Sequence, residues 1–522
     1  MLFNSHVFVF LFLPLVLAGF FLLSRRSGRA AMAWLVIASL FFYGYWNPWF
    51  LFLLLGSISG NYLLGLRLTQ AHRTGSGHAR ILLWSGITAN LGLLGYFKYK
   101  AFFLENLALL SGHGFDAAEV FIPLAISFFT FQQIAYLADA YAGQAEDHDP
   151  LTYTLFVSFF PQLIAGPIVH HREMMPQFQK SSTYAFDAGN FTAGLTLFSI
   201  GLFKKVVIAD GIGEFSDFVF AGAAAGDDLT ALEAWIGALA FTFEIFYDFS
   251  AYSEMALGLA RMFNITLPLN FNSPYKAANI IDFWRRWHIT LSRFLRDYLY
   301  IPLGGNRRGK SRRHLNLMLT MLLGGLWHGA GWTFVIWGAL HGFYLIINHA
   351  WSALSAGWLF KPSGHAWRIF AHTLTFLAVV VAWVFFRAPD METALRVLRG
   401  MAGFNGFILP ATYEFQLGPI ASWVQYVGIG FGPVPNYPGV RALIWIALLV
   451  FVSVALPNPL HMLRDLISLD PHDQADLDSR GILARYLRWR FSTAWGLAMG
   501  LILAAALLAL GESPQEFIYF EF

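Results

Sequence analysis

The chain has 522 residues, of which 57% are hydrophobic, 17% aromatic and only 12% charged. A soluble globular domain carries about 25% charged residues, so this composition excludes an ordinary soluble domain and indicates a polytopic membrane protein. The net charge of +3 gives no reason to expect a nucleic-acid partner. Cysteine is absent, which excludes disulfides, thiolate metal sites and a cysteine nucleophile.

Apolar windows recur along the chain, and several are long enough to cross about 30 Å of hydrocarbon. In lipid such segments must be helical, because each backbone polar group needs a partner within the segment. The windows are 5–24, 31–55, 80–97, 119–141, 151–169, 189–209, 231–260, 315–327, 332–350, 367–386, 440–457 and 491–511. With the more charged stretch 281–303, they predict a single membrane domain over 1–522 with about 11–13 membrane-embedded helices.

The positions of Lys and Arg in short loops predict the orientation in the membrane. No positive charge precedes the first window and no small-residue cleavage site follows it, which favours a retained span over a signal peptide. Arg25, Arg26 and Arg29 follow this window and predict a cytoplasmic loop, with the N-terminus outside. The basic cluster RRGKSRR, 307–313, is placed on the same side. Residues 404–439, rich in Gly, Pro and aromatics, predict a long structured loop.

The stretch DFWRRWHITLSRFLRDYLYIPLGG, 282–305, places His288 among many charges. A helix here would be a poor lipid-facing span, because its charges would surround most of its circumference. The chain from His288 to Ile301 is almost as long as the chain from His314 to His328. If both arms are antiparallel helices, each histidine lies about 20 Å from the basic loop, near the middle of the bilayer. The spacing therefore predicts that the two imidazoles share one reaction site.

The stretch LGGLWHGAGW, 323–332, surrounds His328 with indoles and glycines. Trp327 and Trp332 provide flat apolar walls, and a neutral imidazole in a dry pocket is a competent general base, worth about 10²–10⁴-fold. The alternative is a histidine hydrogen-bonded to a neighbouring helix. Four glycines remove side-chain bulk, so that a ligand or another backbone can approach closely: Gly324, Gly325, Gly329 and Gly331.

Other polar groups give weaker signals. Asp248 and Glu254 are acids in an apolar setting, which fits a proton or substrate role as well as buried pairing with an arginine such as Arg261 or Arg285.

Two further sets of histidines are candidate metal ligands. His170 and His171 are adjacent and would point apart on a helix, so a metal pair is not expected there. His341 and His349, eight residues apart on one helical face, would fit a haem or metal stripe, but no carboxylate joins them at regular spacing. The sequence therefore predicts no metal site.

Two long segments resemble the membrane-bound O-acyltransferase family, in its bacterial alginate O-acetylation branch. They are YDFSAYSEMALGLARMFNITLPLNFNSPYKAANIIDFWRRWHITLSRFLRDYLYIPLGGNRRG and MLLGGLWHGAGWTFVIWGALHG, and FFPQLIAGPIVHHREMMPQF is similar as well. The resemblance runs from residue 1 to about 390, with its motif core at about 240–350. It implies an all-α fold with a ring of helices around a central funnel or tunnel. It also implies that His328, in the Trp-His-Gly motif, is catalytic and that His288 is the second member of the active pair.

The resemblance also implies a reaction. An acetyl group would move from a cytoplasmic thioester, acetyl-CoA, across the bacterial inner membrane. Its acceptor would be a hydroxyl of an extracytoplasmic polysaccharide or of a periplasmic acetyltransferase partner of the SGNH type. No bound cofactor is implied, since acetyl-CoA is a substrate. His328 would take the hydroxyl proton, and His288 would orient the acceptor or donate a hydrogen bond to the oxyanion.

Further residues are expected around this site. Substrate-binding candidates are Trp284, Arg285, Trp327, Asp248, Arg293 and Arg296. Five basic residues could attract the phosphates of the donor: Arg307, Arg308, Lys310, Arg312 and Arg313. Two alternatives remain open at this stage. One is D-alanyl transfer from a carrier protein to teichoic acid, and the other is a transporter whose embedded charges line a pathway.

Overall fold

Helices form nearly all of the regular structure in the computed structural model, which describes residues 1–115, 121–145, 149–355, 364–464, 487–511 and 515–518. The first helices are α1 (Leu13–Ser24), α2 (Gly28–Gly44), α3 (Pro48–Arg73), α4 (Ala79–Leu94), α5 (Lys100–Ser111), α6 (Ile126–Tyr141), α7 (Pro150–Ser158), α8 (Phe160–Leu163) and α9 (His171–Gln179). The middle of the chain forms α10 (Ala188–Phe203), α11 (Asp210–Ala225), α12 (Ala231–Met262), α13 (Ile280–Arg286), α14 (Ile289–Leu295), α15 (Lys310–His328), α16 (Trp332–Ser355), α17 (His365–Arg387) and α18 (Met391–Met401).

The remaining elements include the two strands of the described chain. They are β1 (Phe407–Pro410), α19 (Ala411–Leu417), α20 (Pro419–Tyr426), β2 (Ile429–Gly432), α21 (Val440–Ala455), α22 (Pro459–Met462) and α23 (Thr493–Ala509). Within these ranges, π-helical segments occur at Phe8–Phe12, Gly95–Tyr99, Lys204–Ala209 and Arg296–Tyr300, and 3-10 turns occur at Ser181–Tyr184 and Pro274–Lys276. Single-turn π segments are frequent at functional sites, and those at Gly95–Tyr99 and Lys204–Ala209 bring lysines into the interior.

Several helices are suited to a membrane by length and composition. Among the described residues, three runs are long and apolar enough to cross it, Pro48–Arg73, Ala188–Ala225 and His365–Arg387. Shorter apolar helices accompany them, at Phe8–Ser24, Gly28–Gly44, Val440–Ala455 and Thr493–Ala509. The predicted all-α polytopic class is confirmed. The other apolar windows also contain helices, but these are shorter, broken or buried, so the number of separate spans stays a prediction.

The longest single helix of the described chain, α12, lies in the interior. Nearly all of its 32 residues are buried. It begins with a capping box in which Glu233 Oε2 accepts the Thr230 N–H at 2.8 Å, and the Thr230 hydroxyl accepts the Glu233 N–H at 3.4 Å. α10 packs against it at Gly194 and Gly258, small residues that let two backbones approach closely. Charged side chains on α12 therefore face protein and not lipid.

The helix predicted around His288 is broken at that residue. His288 has φ 42° and ψ 54°, a left-handed conformation that is uncommon for residues other than glycine. A neighbouring segment bonds the backbone groups that the break releases. The Asn272 N–H donates to the Arg286 carbonyl at 2.9 Å, and the Ile289 N–H donates to the Asn270 carbonyl at 2.9 Å. The break redirects the chain and leaves the imidazole in the interior.

α15 and α16 form a tight helical hairpin with His328 at its tip. A Cβ atom at Gly325 or Gly338 would collide with backbone of the opposite helix, and one at Gly329 would collide with the ring of Phe334. The space that these glycines leave is therefore filled by the neighbouring helix and the Phe334 ring, and not by a ligand. The hairpin holds His328 at the last residue of a 19-residue helix.

Residues 404–439 form an ordered unit. β1 and β2 pair in parallel, with Phe407 opposite Ile429, and α19 and α20 connect them. The Asn436 N–H donates to Glu233 Oε1 at 2.7 Å and ties this unit to the start of α12. The expected structured loop thus has regular secondary structure of its own.

Two basic stretches near the N-terminus, 25–29 and 67–80, lie at one end of the molecule. The Arg29 guanidinium lies 3.9 Å from the Asp149 carboxylate, and His72 Nδ1 lies 3.0 Å from the Tyr141 carbonyl. Trp46 lies at the other end. It follows α2, which begins near Arg29 and has 17 residues, a length of about 25 Å.

Candidate active site

The structure brings His288 and His328 together. Their ring centroids are 6.4 Å apart, and both side chains are buried. His328 ends α15, and the chain from Ile289 to Tyr300 is helical, so both arms run from the basic loop to the same level. His288 and His328 therefore lie at the same level although the helix is broken, because the break falls at His288 itself.

Asn270 fixes the hydrogen-bonding state of His288. Its side-chain Oδ1 lies 3.0 Å from His288 Nδ1 and also accepts the Thr290 N–H at 3.3 Å and the Thr290 hydroxyl at 2.9 Å. An atom that accepts from a backbone N–H is the amide oxygen, so His288 Nδ1 must carry the proton that it donates. In the neutral ring, Nε2 is then an acceptor. Orienting a hydroxyl fits this tautomer, whereas donating to an oxyanion would require a second proton.

Aromatic rings enclose the pair. His328 lies edge to face with Trp327, Trp337 and Phe386 at centroid distances of 4.9, 5.0 and 5.3 Å. Phe249 lies 4.8 Å from the ring of His288. These contacts leave the two imidazoles in a dry environment, where hydrogen bonds and charges act more strongly than in water.

Four buried indole N–H groups near the pair have no hydrogen-bond partner among the described residues. They belong to Trp284, Trp327, Trp337 and Trp383. An unpaired buried donor costs about 1–3 kcal/mol, so each of these groups favours a ligand that can accept a hydrogen bond. Of these four tryptophans, Trp327 and Trp337 are the two whose rings contact the ring of His328 directly.

A lysine from another helix caps the helix that carries His328. Lys98 Nζ donates to the carbonyls of Trp327 and His328 at 2.6 and 2.9 Å, and the Tyr99 hydroxyl donates to the Leu326 carbonyl at 2.8 Å. The last carbonyls of a helix have no partner within it, and a cation there also opposes the negative end of the helix dipole. Three consecutive terminal carbonyls are satisfied in this way.

Two cavities approach the pair from opposite ends. A cavity of about 640 Å³ is lined by Met1, Trp46 and Lys98, at the end away from the basic stretches. A cavity of about 310 Å³ is lined by Thr290 and Arg293, among others, on the other side. Neither cavity has His288 or His328 in its wall. Lys98 bonds the His328 carbonyl directly, whereas Thr290 is linked to His288 through Asn270. Both cavities therefore end short of the pair, and the expected tunnel stays a prediction.

A second histidine pair lies beside the smaller cavity, with His170 in the cavity wall. His170 precedes α9 with extended backbone, so the two adjacent rings do not point apart as on a helix, and that expectation is wrong. Their centroids are 4.5 Å apart, and Asp139 Oδ2 lies 2.5 Å from His170 Nε2 and 3.5 Å from His171 Nδ1. The Tyr298 hydroxyl donates to the same carboxylate at 3.0 Å.

The ligand atoms of Asp139, His170 and His171 lie within 4.8 Å of one another, close enough for a metal ion. The hydrogen bonds do not favour one. His170 Nδ1 accepts the Arg172 N–H at 3.3 Å, so the ring proton sits on Nε2, the atom that faces Asp139. Burial, together with the neighbouring His170, lowers the pKa of His171 to about 4. The group is a hydrogen-bonded carboxylate, and the absence of a metal stays a prediction.

The expected partners of Asp248 and Glu254 are wrong. Asp248 Oδ1 pairs with Lys205 Nζ at 2.7 Å, and Glu254 Oε1 pairs with Lys204 Nζ at 2.7 Å. The π segment between α10 and α11 directs both lysines toward α12, so the arginines named from the sequence are not needed. Asp248 lies in the wall of a third cavity, of about 390 Å³, and does not line the two cavities that flank the pair.

The other expected binding residues are dispersed. Trp284 lies 5.8 Å from Trp337, one ring away from His328. Arg293 Nη1 pairs with Glu173 at 2.5 Å in the wall of the smaller cavity. Arg285 and Arg296 are exposed, and Arg296 pairs with the adjacent Asp297. The five basic residues expected to attract phosphate surround the loop before α15, and all but Arg313 are exposed: Arg307, Arg308, Lys310, Arg312 and Arg313.

His341 does not form a metal stripe with His349. Eight residues on α16 separate them by about 12 Å, too far for one ion. His341 is fully buried against Trp284 and Trp337 at 5.1 and 4.9 Å, and neither ring nitrogen has a hydrogen-bond partner among the described residues. It extends the aromatic shell of His328 by one polar group.

The sequence reasoning missed three residues that contact the pair. Lys98, in the apolar stretch LGLLGYFKYK, carried a usable signal, since an ionisable residue within a membrane helix is functional more often than not. Asn270 and Trp337 carried none, because an asparagine after a helix and a tryptophan in an apolar helix are ordinary.

Comparison with known proteins places this geometry in a family. A sequence profile described as MBOAT, membrane-bound O-acyltransferase family, matches residues 78–387, which include both histidines and Lys98. The chain belongs to the membrane-bound O-acyltransferase family. It is an O-acyltransferase, as predicted.

Individual relatives of this O-acyltransferase are similar over most of its length. A peptidoglycan O-acetyltransferase of Helicobacter pylori is 48% identical over 436 residues, 78% of this chain and 81% of the relative. A probable alginate O-acetylase of Pseudomonas aeruginosa is 42% identical over 411 residues, 78% of this chain and 75% of the relative. A teichoic acid D-alanyltransferase of Bacillus subtilis is 28% identical over 273 residues, 50% of this chain and 68% of the relative.

Proposed function

We propose that this chain is an O-acetyltransferase of a bacterial inner membrane that moves an acetyl group from cytoplasmic acetyl-CoA to a hydroxyl on the opposite face. The acceptor belongs to an extracytoplasmic polysaccharide or to a periplasmic acetyltransferase of the SGNH type. The observation that carries the proposal is the buried histidine pair between two cavities at opposite ends. Relatives named for acetyl transfer match 78% of the chain, and the D-alanyltransferase matches 50% at lower identity, which favours acetyl over D-alanyl.

The donor enters from the side of the smaller cavity. The basic stretches predict that this end faces the cytoplasm. The exposed basic residues around the start of α15 lie on the arm that leads to His328, and they raise the local concentration of an anionic donor. The narrow thioester arm passes Arg293 and Thr290, and its carbonyl comes to rest beside the pair. The acceptor hydroxyl enters from the larger cavity, past Lys98.

The reaction needs a base, an acceptor orienter and an oxyanion donor. His328 removes the hydroxyl proton as the oxygen attacks the thioester carbonyl, and it gives that proton to the thiolate as the carbon–sulfur bond breaks. His288 accepts a hydrogen bond at Nε2 and orients the hydroxyl, as the tautomer set by Asn270 requires. The indole N–H groups of Trp327 and Trp337 donate to the oxyanion, a role worth about 10²–10³-fold per donor. With these roles, the protein neither gains nor loses a proton over one acetyl transfer.

Inverted membrane vesicles test the proposal directly, because their outer surface is the former cytoplasmic face. Vesicles containing the protein receive acetyl-CoA labelled in the acetyl group, and label is measured in the acid-insoluble polysaccharide and protein of the lumen. We expect label in the lumen with wild-type protein and background label with the His328→Ala variant at equal expression. Label that appears equally in the variant would overturn the assignment.

A donor comparison separates the two acyl groups and the transport alternative. Purified protein in detergent receives a soluble polysaccharide as hydroxyl acceptor and either acetyl-CoA or a D-alanyl carrier protein as donor, and release of free thiol is followed. We expect thiol release with acetyl-CoA alone. A transporter would release none with either donor, and release confined to the carrier protein would reassign the chain to D-alanyl transfer.

A further inference from the structure

We propose that Lys98 is a positioning residue for His328, acting from the acceptor side of the membrane. This inference rests on the proposed function and adds a residue to its site. Lys98 belongs to the π segment Gly95–Tyr99, which belongs neither to the Trp-Arg-Arg-Trp-His motif nor to the Trp-His-Gly motif.

The geometry is that of a helix cap supplied by another helix. α15 ends at His328, and Gly329 continues in extended conformation with φ −155° and ψ 146°. A helix that ends in this way makes no left-handed glycine turn that would satisfy its last carbonyls. Lys98 Nζ bonds two of them, including the carbonyl of His328 itself, at 2.6 and 2.9 Å. The backbone of the general base is therefore held by one ammonium group.

The location of Lys98 gives this cap a second property. Lys98 is buried and also lines the cavity of about 640 Å³, through which the acceptor enters in the proposed function. An ammonium has three N–H donors, and two of them bond α15. The same side chain that places His328 therefore meets the incoming hydroxyl, so that acceptor binding and base placement depend on one group.

Substitutions at Lys98 distinguish positioning from donor binding. We expect Lys98→Met to lower kcat for acetyl transfer about 100-fold, with KM for acetyl-CoA within about threefold, since the donor enters from the other side. Lys98→Arg keeps donors for both carbonyls and is expected to recover at least tenfold of that loss. Lys100→Met is the matched control, because Lys100 lines the same cavity but its ammonium lies over the Tyr96 ring at 5.6 Å and makes no bond to α15 among the described residues.

Chemical rescue keeps the test valid where a substitution only weakens the fold. The chain has no cysteine, so Lys98→Cys introduces a single thiol. Aminoethyl methanethiosulfonate attaches an ammonium there through a disulfide, and propyl methanethiosulfonate attaches a neutral group of the same size. We expect the aminoethyl adduct to recover at least tenfold of the lost kcat and the propyl adduct to recover none. Intact mass confirms labelling of each sample.

Three results would overturn the inference. The first is equal recovery with both adducts, or recovery with neither at full labelling. The second is a Lys98→Met loss that appears in KM for acetyl-CoA and not in kcat. The third applies if the thiol stays unlabelled: a Lys98→Arg variant whose kcat is as low as that of Lys98→Met would then overturn the inference. Failure of the proposed function looks different, because the wild-type protein itself would then transfer no acetyl group.

Discussion

Two pairs of histidines in this chain are both closely packed, and their surroundings differ. His288 and His328 come from separate segments and lie between aromatic rings, with one amide oxygen as the hydrogen-bond partner of His288 Nδ1. His170 and His171 are adjacent and share the Asp139 carboxylate with a tyrosine hydroxyl. The first environment leaves ring nitrogens suited to taking a proton from a substrate. In the second, ring nitrogens of His170 and His171 face the Asp139 carboxylate, so they stabilise the fold at the cavity wall and are not directed to a substrate.

The largest expected difference between the pairs is in turnover. His328→Ala should lower kcat by about 10³-fold, because a general base contributes about 10²–10⁴-fold. His170→Gln should cost no more than about tenfold, since it weakens a hydrogen bond to Asp139 at the cavity wall. Acetyl-CoA turnover by both variants, with melting temperature as a check on folding, measures the contrast. Equal losses would remove the distinction between the pairs.

The oxyanion donor gives the next effect. Trp337→Phe keeps a ring against His328 and removes only the indole N–H, so kcat should fall about 10²-fold. Trp383→Phe is the matched variant, because Trp383 stacks on Trp337 at 5.7 Å and its N–H is also unpaired among the described residues. Its loss should stay within about threefold. Equal effects would mean that ring packing, and not the donor at Trp337, supports the reaction.

The tautomer of His288 can be tested through Asn270. Asn270→Ala removes the acceptor of the Nδ1–H and should lower kcat about 5- to 100-fold, the range for an unpaired buried donor. Asn270→Asp keeps an oxygen there and should retain more activity than the alanine variant. Asn272→Ala is the control, because Asn272 is a buried asparagine in the same segment that bonds Asn458 at 3.1 Å. An aspartate variant less active than the alanine variant would contradict the tautomer.

The smallest expected effect concerns metal ions. Treatment with EDTA should leave acetyl transfer unchanged, and zinc should bind the purified protein no better than it binds a His171→Ala variant. The physical reason is that His170 Nε2 carries a proton and faces Asp139, so the nitrogen lacks a lone pair for a metal. Zinc binding that disappears in His171→Ala, or activity lost on chelation, would make the second pair a metal site.

The membrane class and the proximity of His288 and His328 could be predicted from sequence because both depend on local patterns. Composition and apolar windows determine that the chain is helical in lipid, since no other backbone arrangement satisfies its hydrogen bonds there. The similar spacing of His288 and His328 from the basic loop determined their common depth, because a helix converts residue number into distance. The family motifs pointed to the same two residues.

Other features were decided only by the tertiary structure, because they depend on contacts between distant segments. Lys98 reaches the end of a helix from a much later part of the chain, and Lys204 and Lys205 pair with acids for which the sequence suggested arginines. Asn270, in a neighbouring loop, accepts a hydrogen bond from His288 Nδ1 and so determines that this nitrogen carries the proton. No local pattern encodes which buried donor meets which acceptor. The sequence determined where ionisable groups enter the membrane protein, and the folded chain determined which of them pair, because the partners come from segments that are distant in sequence.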